Sequence, residues 1–196
     1  MNFNPRDRFF LKAKKENFAA RSVYKLEEIN SKYKIFRPKQ TVLDLGASPG
    51  SWSQFASAKI GAQGRILGVD LSPMSVTLPN AVFIQADLRD LNLKQFFEEQ
   101  QFIGQFDVVM SDMAPKTTGI RFTDQTRSFE LCELALNVAD EFLKPSGTFI
   151  CKLFHSDEFT TLRDRIKKSY QKFEAIKPES TRKISKEIFL IGLSKK

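Results

Sequence analysis

The sequence is poor in the residues that build metal sites and disulfide frameworks, and it lacks a long apolar segment. It contains one histidine and two cysteines, Cys132 and Cys151, which argues against a structural zinc site. Both cysteines lie in apolar stretches, so we expect buried free thiols. No apolar run reaches the roughly 18 residues of a membrane span, and the N-terminus shows no apolar core of a secretory signal. We therefore expect a cytoplasmic protein that uses no metal and contacts no membrane.

Two common nucleotide-binding patterns are also missing. The sequence has no G-x-x-x-x-G-K-[ST] P-loop and no G-x-G-x-x-G dinucleotide fingerprint, which sets aside a NAD-linked oxidoreductase. Residues 41–54 nevertheless read as a short apolar strand, a tight loop and the start of a helix. Gly46 and Gly50 allow the loop to turn sharply and to approach a ligand closely, and Ser51 or Ser53 is expected to cap the helix. In an open α/β sheet a nucleotide-like cofactor binds at such a loop.

Charge is distributed unevenly along the chain. Residues 1–40 carry a net charge of +7, residues 41–159 carry −6 and residues 160–196 carry +7, within a total of +8. If the two basic ends meet in space, they form a cationic surface suited to a polyphosphate backbone. Ordinary solvated helix faces are the alternative, and charge alone does not decide between the two.

The alternation of apolar strands with amphipathic helices predicts a doubly wound sheet. The predicted strands cover residues 42–45, 65–70, 82–87, 106–112, 148–154, 173–176 and 188–193, and the predicted helices cover 17–33, 51–61, 91–101, 124–143 and 156–170. The last two strands have no helix between them, which predicts an antiparallel pair at one edge. We expect one domain over residues 1–196 with a mostly parallel seven-stranded sheet, an antiparallel C-terminal strand and helices on both faces. Residues 1–16 form a basic N-terminal arm or a short helix.

Four acidic residues are predicted at the carboxyl ends of strands, which share one rim of such a sheet. They are Asp44, Asp70, Asp87 and Asp112. Asp70 follows Gly46 by 24 residues, where a carboxylate accepts hydrogen bonds from the ribose hydroxyls of an adenosyl cofactor. Asp87 is placed to accept a hydrogen bond from the adenine amino group. Together with Asp44 before the Pro49–Gly50 loop, these acids predict S-adenosylmethionine (SAM) as the cofactor.

Two lysines occupy unusual places. Lys152 lies within an apolar strand that is predicted inside the sheet, where an ammonium group needs a partner, and Asp112 is the candidate. Protection of an edge strand against aggregation is the alternative. Lys25 falls on the apolar stripe of its predicted helix, where a snorkelling lysine is the alternative. Glu187 opens the last predicted strand and could reach the same rim.

Five segments together resemble the FtsJ/RrmJ family of RNA ribose 2′-O-methyltransferases. They are Arg21–Ile29, Asp44–Gln54, Met110–Pro115, the strand around Lys152, and Ser185–Glu187. The resemblance runs from about Asp7 to the C-terminus. It implies a Rossmann-like SAM-dependent methyltransferase fold, and it matches a Lys-Asp-Lys-Glu tetrad to Lys25, Asp112, Lys152 and Glu187. It also places Gly50 and Trp52 at the cofactor, although Trp52 could instead pack the helix against the sheet.

The resemblance implies the following activity. A methyl group passes from SAM to the ribose 2′-OH of a uridine in the A-loop of 23S rRNA, within the assembled large ribosomal subunit. Lys152 would act as the general base, or stay charged and stabilise the developing alkoxide, while Asp112 and Glu187 orient the two lysines. The same chemistry on tRNA is one alternative. Another is a SAM-binding ribosome-assembly factor with incidental catalysis, which a broken tetrad would indicate. We expect a monomer.

Overall fold

The computed structural model describes residues 8–102, 105–182 and 184–196. In these ranges the strands are β1 (Thr41–Leu45), β2 (Arg65–Asp70), β3 (Ala81–Gln85), β4 (Phe106–Ser111), β5 (Leu143–Phe154), β6 (Tyr170–Ile176) and β7 (Glu187–Lys195). The α-helices are α1 (Arg8–Lys15), α2 (Val23–Tyr33), α3 (Ser51–Ile60), α4 (Leu93–Glu99), α5 (Arg121–Phe142) and α6 (Phe159–Ser169). A 3-10 helix, Leu88–Asp90, follows β3.

The seven strands form one sheet in the order β3-β2-β1-β4-β5-β7-β6. Strands β3, β2, β1, β4 and β5 are parallel, whereas β7 is antiparallel to both of its neighbours, β5 and β6. The predicted mostly parallel sheet with an antiparallel C-terminal strand is therefore confirmed. Strand order reverses at β1 and β4, which is the switch point where open α/β sheets bind ligands.

Helices cover both faces of the sheet. On one face, Leu26 of α2 and Phe55 of α3 belong to the same buried apolar cluster. On the other face, Phe97 of α4, Leu136 of α5 and Leu162 of α6 share a second cluster. Successive residues of a strand point to opposite faces, so the position of a residue along its strand decides which of these helices it meets at the rim.

Helix α2 begins at Val23, so the prediction of a helix over residues 17–33 is wrong at its start. Asn17 has a φ of 59°, a left-handed conformation that no regular helix contains. Phe18 still packs edge-on against the ring of Tyr24, with centroids 6.4 Å apart. The apolar spacing over residues 17–33 therefore arises partly from the turn around Phe18, which packs against α2, and partly from α2 itself.

Strand β5 is longer than its predicted range of 148–154. It begins at Leu143, immediately after α5 ends at Phe142. Its register with β4 shifts between Phe106 and Val108, and this irregularity accommodates the Pro145–Gly147 segment that was expected to separate helix from strand. Pairing of β5 with β4 therefore keeps Pro145–Gly147 within the strand, although these residues favour a turn.

The two cysteines and the N-terminal segment agree with the predictions as far as the structure describes them. Cys132 and Cys151 are both buried and free, as predicted. Arg8–Lys15 forms a helix, and Phe9 contacts Tyr24 with ring centroids 5.5 Å apart; residues 1–7 of the predicted arm lie outside the described residues. None of the helices within the described ranges is long and apolar enough to cross a bilayer.

Candidate active site

A cavity of about 340 Å³ opens at the carboxyl ends of the central strands, within the size range of small-molecule sites. Four of the predicted cofactor residues line it: Gly46, Asp70, Asp87 and Asp112. Its apolar lining includes Val69, Leu71, Leu88, Met113, Leu131 and Leu134. The cavity therefore offers apolar walls to a heteroaromatic ring and carboxylates to hydroxyl or amino groups.

Gly46 brings the loop after β1 against the loop after β4. It has a φ of 77°, and a Cβ at this position would lie 2.6 Å from Cγ of Met113 and 3.0 Å from the Met113 Cα. Its amide donates to the carbonyl of Val69 on β2, at 2.9 Å. A side chain here would therefore displace the cavity wall, which explains the glycine.

Asp70 is held by the backbone around it. One carboxylate oxygen accepts a hydrogen bond from the Ser48 amide at 3.0 Å, and the other accepts from the Ser72 amide at 2.7 Å. Each carboxylate oxygen can accept more than one hydrogen bond. The Asp70 carboxylate is thus oriented at the cavity and keeps acceptor capacity for a ligand.

Asp87 is engaged by Arg89. Its Oδ1 accepts hydrogen bonds from the Arg89 amide and Nε at 3.0 and 2.9 Å, and its Oδ2 accepts from Nη2 at 2.5 Å. The Arg89 side chain, with help from its amide, lowers the pKa of Asp87 to about 2. Asp87 is therefore ionised at neutral pH, and a ligand amino group would share it with Arg89.

Asp44 lies below the cavity and does not line it. Its side chain is fully buried, and its Oδ2 accepts a hydrogen bond from the Ser53 hydroxyl at 2.6 Å. Its Oδ1 has no hydrogen-bond partner among the described residues. Burial raises the pKa of Asp44 to about 7, and the Ser53 hydrogen bond opposes this shift only in part.

Gly50 and Trp52 also lie outside the cavity lining. Gly50 is the residue before α3, with a φ of 118°, and any Cβ there would overlap the side chain of Val76. Trp52 is 2% exposed, and its Nε1 donates to the Ser22 carbonyl at 3.0 Å. Its ring packs on Phe189 with centroids 5.7 Å apart, which is the helix–sheet packing role named as its alternative.

The prediction that Ser51 or Ser53 caps α3 is wrong. Gly50 occupies the cap position, and no side chain there bonds to the first turn. The Ser51 hydroxyl lies 2.9 Å from the hydroxyl of Ser22, whereas Ser53 donates to Asp44. Ser51 therefore connects α3 to the start of α2, and Ser53 connects α3 to β1. Neither hydroxyl accepts a hydrogen bond from the first turn of α3.

The first predicted lysine pair forms at the carboxyl end of β5. Lys152 Nζ lies 2.8 Å from Asp112 Oδ1 and 2.6 Å from the Asp112 carbonyl oxygen. The lysine is 7% exposed, and β5 lies between β4 and β7. Lys152 is thus an interior lysine with a carboxylate partner, and the alternative of an edge-strand lysine is excluded.

The second pair joins α2 to β7. Lys25 Nζ lies 2.5 Å from Glu187 Oε1, and both side chains are nearly buried. In the β5–β7 register Lys152 is opposite Phe189, and Lys25 Nζ lies 5.8 Å from the centre of the same ring. Both ion pairs therefore flank Phe189 on the sheet face that α2 and α3 cover.

Asp112 belongs to both parts of the rim. It lines the cavity and it accepts the hydrogen bond from Lys152. Chemically, the arrangement can hold a small molecule in a cavity that shares Asp112 with the Lys152 ammonium, while the Lys25–Glu187 pair lies on the same face of the sheet as Lys152. Such a site can bind an anionic or hydroxyl-bearing second ligand and take up or stabilise its proton.

Several functional contacts escaped the sequence reasoning. Arg89 stands two residues after Asp87. Because side chains at this spacing often bond to each other, the sequence could have predicted the Asp87–Arg89 contact. No sequence pattern predicts the Ser53–Asp44 hydrogen bond, because it joins a helix to a strand through tertiary packing. In the described ranges, no group of three or more His, Cys, Asp or Glu side chains is placed to hold a metal ion.

Comparison with known structures defines the class of protein. A crystal structure of a ribosomal RNA methyltransferase from Plasmodium falciparum superposes with a TM-score of 0.81 at 26% identity, over 91% of this chain and 98% of that one. A second structure, an rRNA-methylase from Clostridium thermocellum, shares the fold alone, with a TM-score of 0.61 at 15% identity over 86% and 96% of the two chains. The protein is a methyltransferase of the Rossmann-like class.

Sequence comparison gives the family. The FtsJ-like methyltransferase profile matches residues 18–195, and the chain belongs to this family. It is 71% identical over 196 residues, the whole of both chains, to a protein of Bdellovibrio bacteriovorus named ribosomal RNA large subunit methyltransferase E. A protein of the same name from Desulfatibacillum aliphaticivorans is 50% identical, over 97% of this chain and 91% of the relative.

Proposed function

We propose that this protein transfers a methyl group from SAM to the ribose 2′-OH of a nucleotide, a uridine of the A-loop, in 23S rRNA of the large ribosomal subunit. In this proposal the chain acts as a single-domain monomer in the cytoplasm. The observation that carries the proposal is the double role of Asp112, which joins a cofactor-sized cavity to the Lys152 ammonium.

The lining of the cavity supports SAM as its ligand. Asp70 would accept hydrogen bonds from the ribose hydroxyls, and the apolar side chains around Leu88 and Met113 would hold the adenine ring. Asp87 would meet the adenine amino group together with Arg89. When bound, SAM supplies a methyl group already activated on a sulfonium. The loop between Gly46 and Gly50 would approach the methionine part, with Trp52 supporting that loop from behind.

Lys152 is the residue that would act on the acceptor hydroxyl. Its Nζ already contacts two oxygens of Asp112, so it is held in place before a substrate arrives. A neutral Lys152 would take the 2′-hydroxyl proton, whereas a charged Lys152 would stabilise the developing alkoxide. Correct placement of the hydroxyl contributes to rate in either case, by about 7–11 kcal/mol in favourable systems.

The Lys25–Glu187 pair would complete the acceptor side. Glu187 fixes Lys25 across the α2–β7 contact, and Lys25 adds a second positive charge on the same face of the sheet. This charge suits an acceptor that carries phosphate groups on both sides of the reacting ribose. An acceptor without such charges would leave the second lysine without a role.

The two basic ends of the chain meet beside this site. Glu28 of α2 accepts hydrogen bonds from the amides of Glu179 and Ser180, at 2.6 and 2.9 Å. Arg21 also donates to the Ser180 carbonyl. These contacts hold the start of the basic segment 177–187, around Glu179 and Ser180, next to the N-terminal helices, which supports a cationic platform for RNA. The names of the relatives support the large-subunit rRNA as that RNA.

A methyl-transfer assay with labelled SAM tests the proposal. The acceptors are assembled large subunits that lack the modification, free 23S rRNA and tRNA. We expect label in the large subunits. Label in tRNA alone would show that the same reaction takes place on tRNA, the alternative substrate. SAM binding without label in any of the three acceptors would favour an assembly factor and overturn the proposal.

A further inference from the structure

Two of the most exposed apolar side chains lie where the β4–α5 loop meets α5. Ile120 and Phe122 are 63% and 74% exposed. Every other phenylalanine in the described part of the chain is buried or half-buried. A lone exposed apolar residue needs no explanation, but an adjacent aromatic and aliphatic pair beside a catalytic rim marks a contact surface.

The first turn of α5 sits at the carboxyl end of β5, the strand that carries Lys152. Gln125 Nε2 donates to the carbonyl of His155 at 2.6 Å, just after the end of β5. The Ser128 hydroxyl accepts from the amide of Phe154 at 2.9 Å. Phe122 therefore stands at the same rim as Lys152, on the solvent side of these two attachments.

The backbone that carries Phe122 is held in place. Asp124 accepts hydrogen bonds from the Thr118 amide at 2.7 Å, from the Thr118 hydroxyl at 2.9 Å and from the Gly119 amide at 3.2 Å. This carboxylate closes the loop onto the helix start. A side chain presented from an ordered backbone loses less entropy on binding, so Phe122 is a preformed contact.

Positive charge surrounds the apolar pair. Lys116, Arg121 and Arg127 are all exposed, and Arg127 Nη1 donates to the Lys116 carbonyl at 3.5 Å. An exposed aromatic face among cations suits a nucleotide, because the ring stacks on a base while the cations meet its phosphates. A purely apolar partner would contact the ring but offer no anionic group to Lys116 and Arg121.

We propose that Phe122, with Ile120 beside it, forms a stacking platform for an unpaired base of the RNA strand that carries the target ribose. The proposal rests on RNA being the acceptor and deepens it by naming a residue that positions that strand. A base fixed at this platform orients the neighbouring ribose towards Lys152 and the cavity.

Kinetics of two variants of Phe122 and one control variant of Val82 test the platform. Phe122→Ala should raise the KM for the RNA acceptor about tenfold, the size of one lost base stack, with kcat and SAM affinity within twofold of wild type. Phe122→Tyr should restore the KM because it keeps the ring. Val82→Ala is the matched control, since Val82 is 37% exposed on β3 at the far side of the sheet.

A fluorescence reporter detects stacking directly. The chain has one tryptophan, Trp52, which is 2% exposed, so Phe122→Trp adds an exposed fluorophore over a shielded background. Fluorescence of this variant should be quenched by a single-stranded RNA oligonucleotide of the A-loop sequence. The same oligonucleotide with abasic positions should not quench it, and Val82→Trp should respond to neither.

The outcomes separate this proposal from the one on which it rests. If wild type methylates RNA, yet Phe122→Ala keeps its KM and Phe122→Trp is not quenched, the platform is overturned and the proposed function stands. Equal quenching by the intact and the abasic oligonucleotide would show that no base stacks on the ring and would also overturn the platform. A wild type that methylates no RNA at all would instead remove the proposed function.

Discussion

The two sides of the rim are built in different ways. On the proposed cofactor side, Asp70 and Asp87 accept hydrogen bonds from Ser72 and Arg89, each two residues away, and Asp70 also accepts one from Ser48, 22 positions earlier. On the proposed acceptor side, each lysine is held by a carboxylate far along the chain, and Asp112 and Lys152 are 40 positions apart. The Lys25–Glu187 pair joins opposite ends of the chain.

This difference has a physical consequence. Local backbone contacts form wherever the loops after the strands form, so the cofactor side can be shaped by a few residues. The acceptor side exists only when β5, β7 and α2 are assembled, because its ion pairs cross between them. Substitutions on the two sides should therefore separate cofactor binding from methyl transfer.

Loss of Lys152 should have the largest effect. Lys152→Ala should lower the single-turnover rate of methyl transfer by about 10²- to 10⁴-fold, the usual contribution of a general acid–base group. SAM affinity should stay within a few fold, because Lys152 does not line the cavity. Rapid-quench kinetics and calorimetric SAM titration measure the two effects.

The matched control for this variant is Lys144→Ala. Lys144 also belongs to β5 and pairs with a carboxylate, Asp107 Oδ1, at 2.9 Å, but it lies at the other end of the strand. It should keep full activity. An active Lys152→Ala protein would remove the tetrad from the mechanism.

Asp70→Asn should act on the cofactor side alone. The substitution keeps the shape and removes the charge that would bind the ribose hydroxyls. One or more charge-assisted hydrogen bonds, worth about 1.5–3 kcal/mol each, are weakened, so the Kd for SAM should rise about 10- to 150-fold. Transfer at saturating SAM should remain near the wild-type rate.

Asp90→Asn provides the comparison for Asp70→Asn. Asp90 is exposed, lies close to the cavity in sequence and does not line it, so SAM should bind to this variant as to wild type. Equal SAM affinity in Asp70→Asn would show that the cavity is not the adenosyl site.

A double-mutant cycle on Lys25 and Glu187 tests the acceptor side. Lys25→Met leaves Glu187 nearly buried without its cation, which should lower the free energy of unfolding by about 1–3 kcal/mol. The double variant Lys25→Met/Glu187→Met should recover stability but not activity. Urea unfolding and single-turnover kinetics follow the two properties.

The more exposed pair Lys172–Glu174, in which Nζ and Oε1 are 2.9 Å apart, supplies the control cycle, where the coupling should stay below about 1 kcal/mol. Simple additivity in the Lys25–Glu187 cycle would mean that the two side chains do not act as a pair.

Asp44→Asn should change the pH dependence of stability. Because burial raises the pKa of Asp44 to about 7, the folded protein binds this proton more tightly than the unfolded chain, and stability falls as pH rises from about 4 to 7. The difference in unfolding free energy between the variant and wild type should shift by about 1 kcal/mol between pH 5 and pH 6, in favour of the variant. Denaturation series at both pH values measure it, and a constant difference would contradict the assigned burial.

Much of this fold could be predicted from local pattern. The strand alternation and the Gly46 turn are local properties, so the parallel sheet and the cavity loop follow from sequence. The start of α2 does not, because Asn17 adopts a left-handed conformation within a stretch that keeps helical apolar spacing. The hydrogen bond between Ser53 and Asp44 could not be predicted either, because it depends on how α3 packs against β1.

The acceptor side could be predicted only in part. Lys152 was recognisable because an ammonium group inside an apolar strand demands a partner, and Asp112 was at the right strand end. The Lys25–Glu187 pair could not be derived from spacing, since it depends on β7 inserting between β5 and β6. The family resemblance grouped Lys25, Asp112, Lys152 and Glu187 as one tetrad, and the catalytic roles of these residues stay a prediction.

The position of the transferred methyl group distinguishes ribose 2′-O-methylation from every other methyl transfer to rRNA. Large subunits that lack the modification are incubated with the protein and SAM, the rRNA is digested to nucleosides, and the products are identified by mass spectrometry. We expect one new ribose-methylated nucleoside, 2′-O-methyluridine, with the wild-type protein and none with Lys152→Ala. A methyl group on a base, or no methylated nucleoside in rRNA, would contradict it.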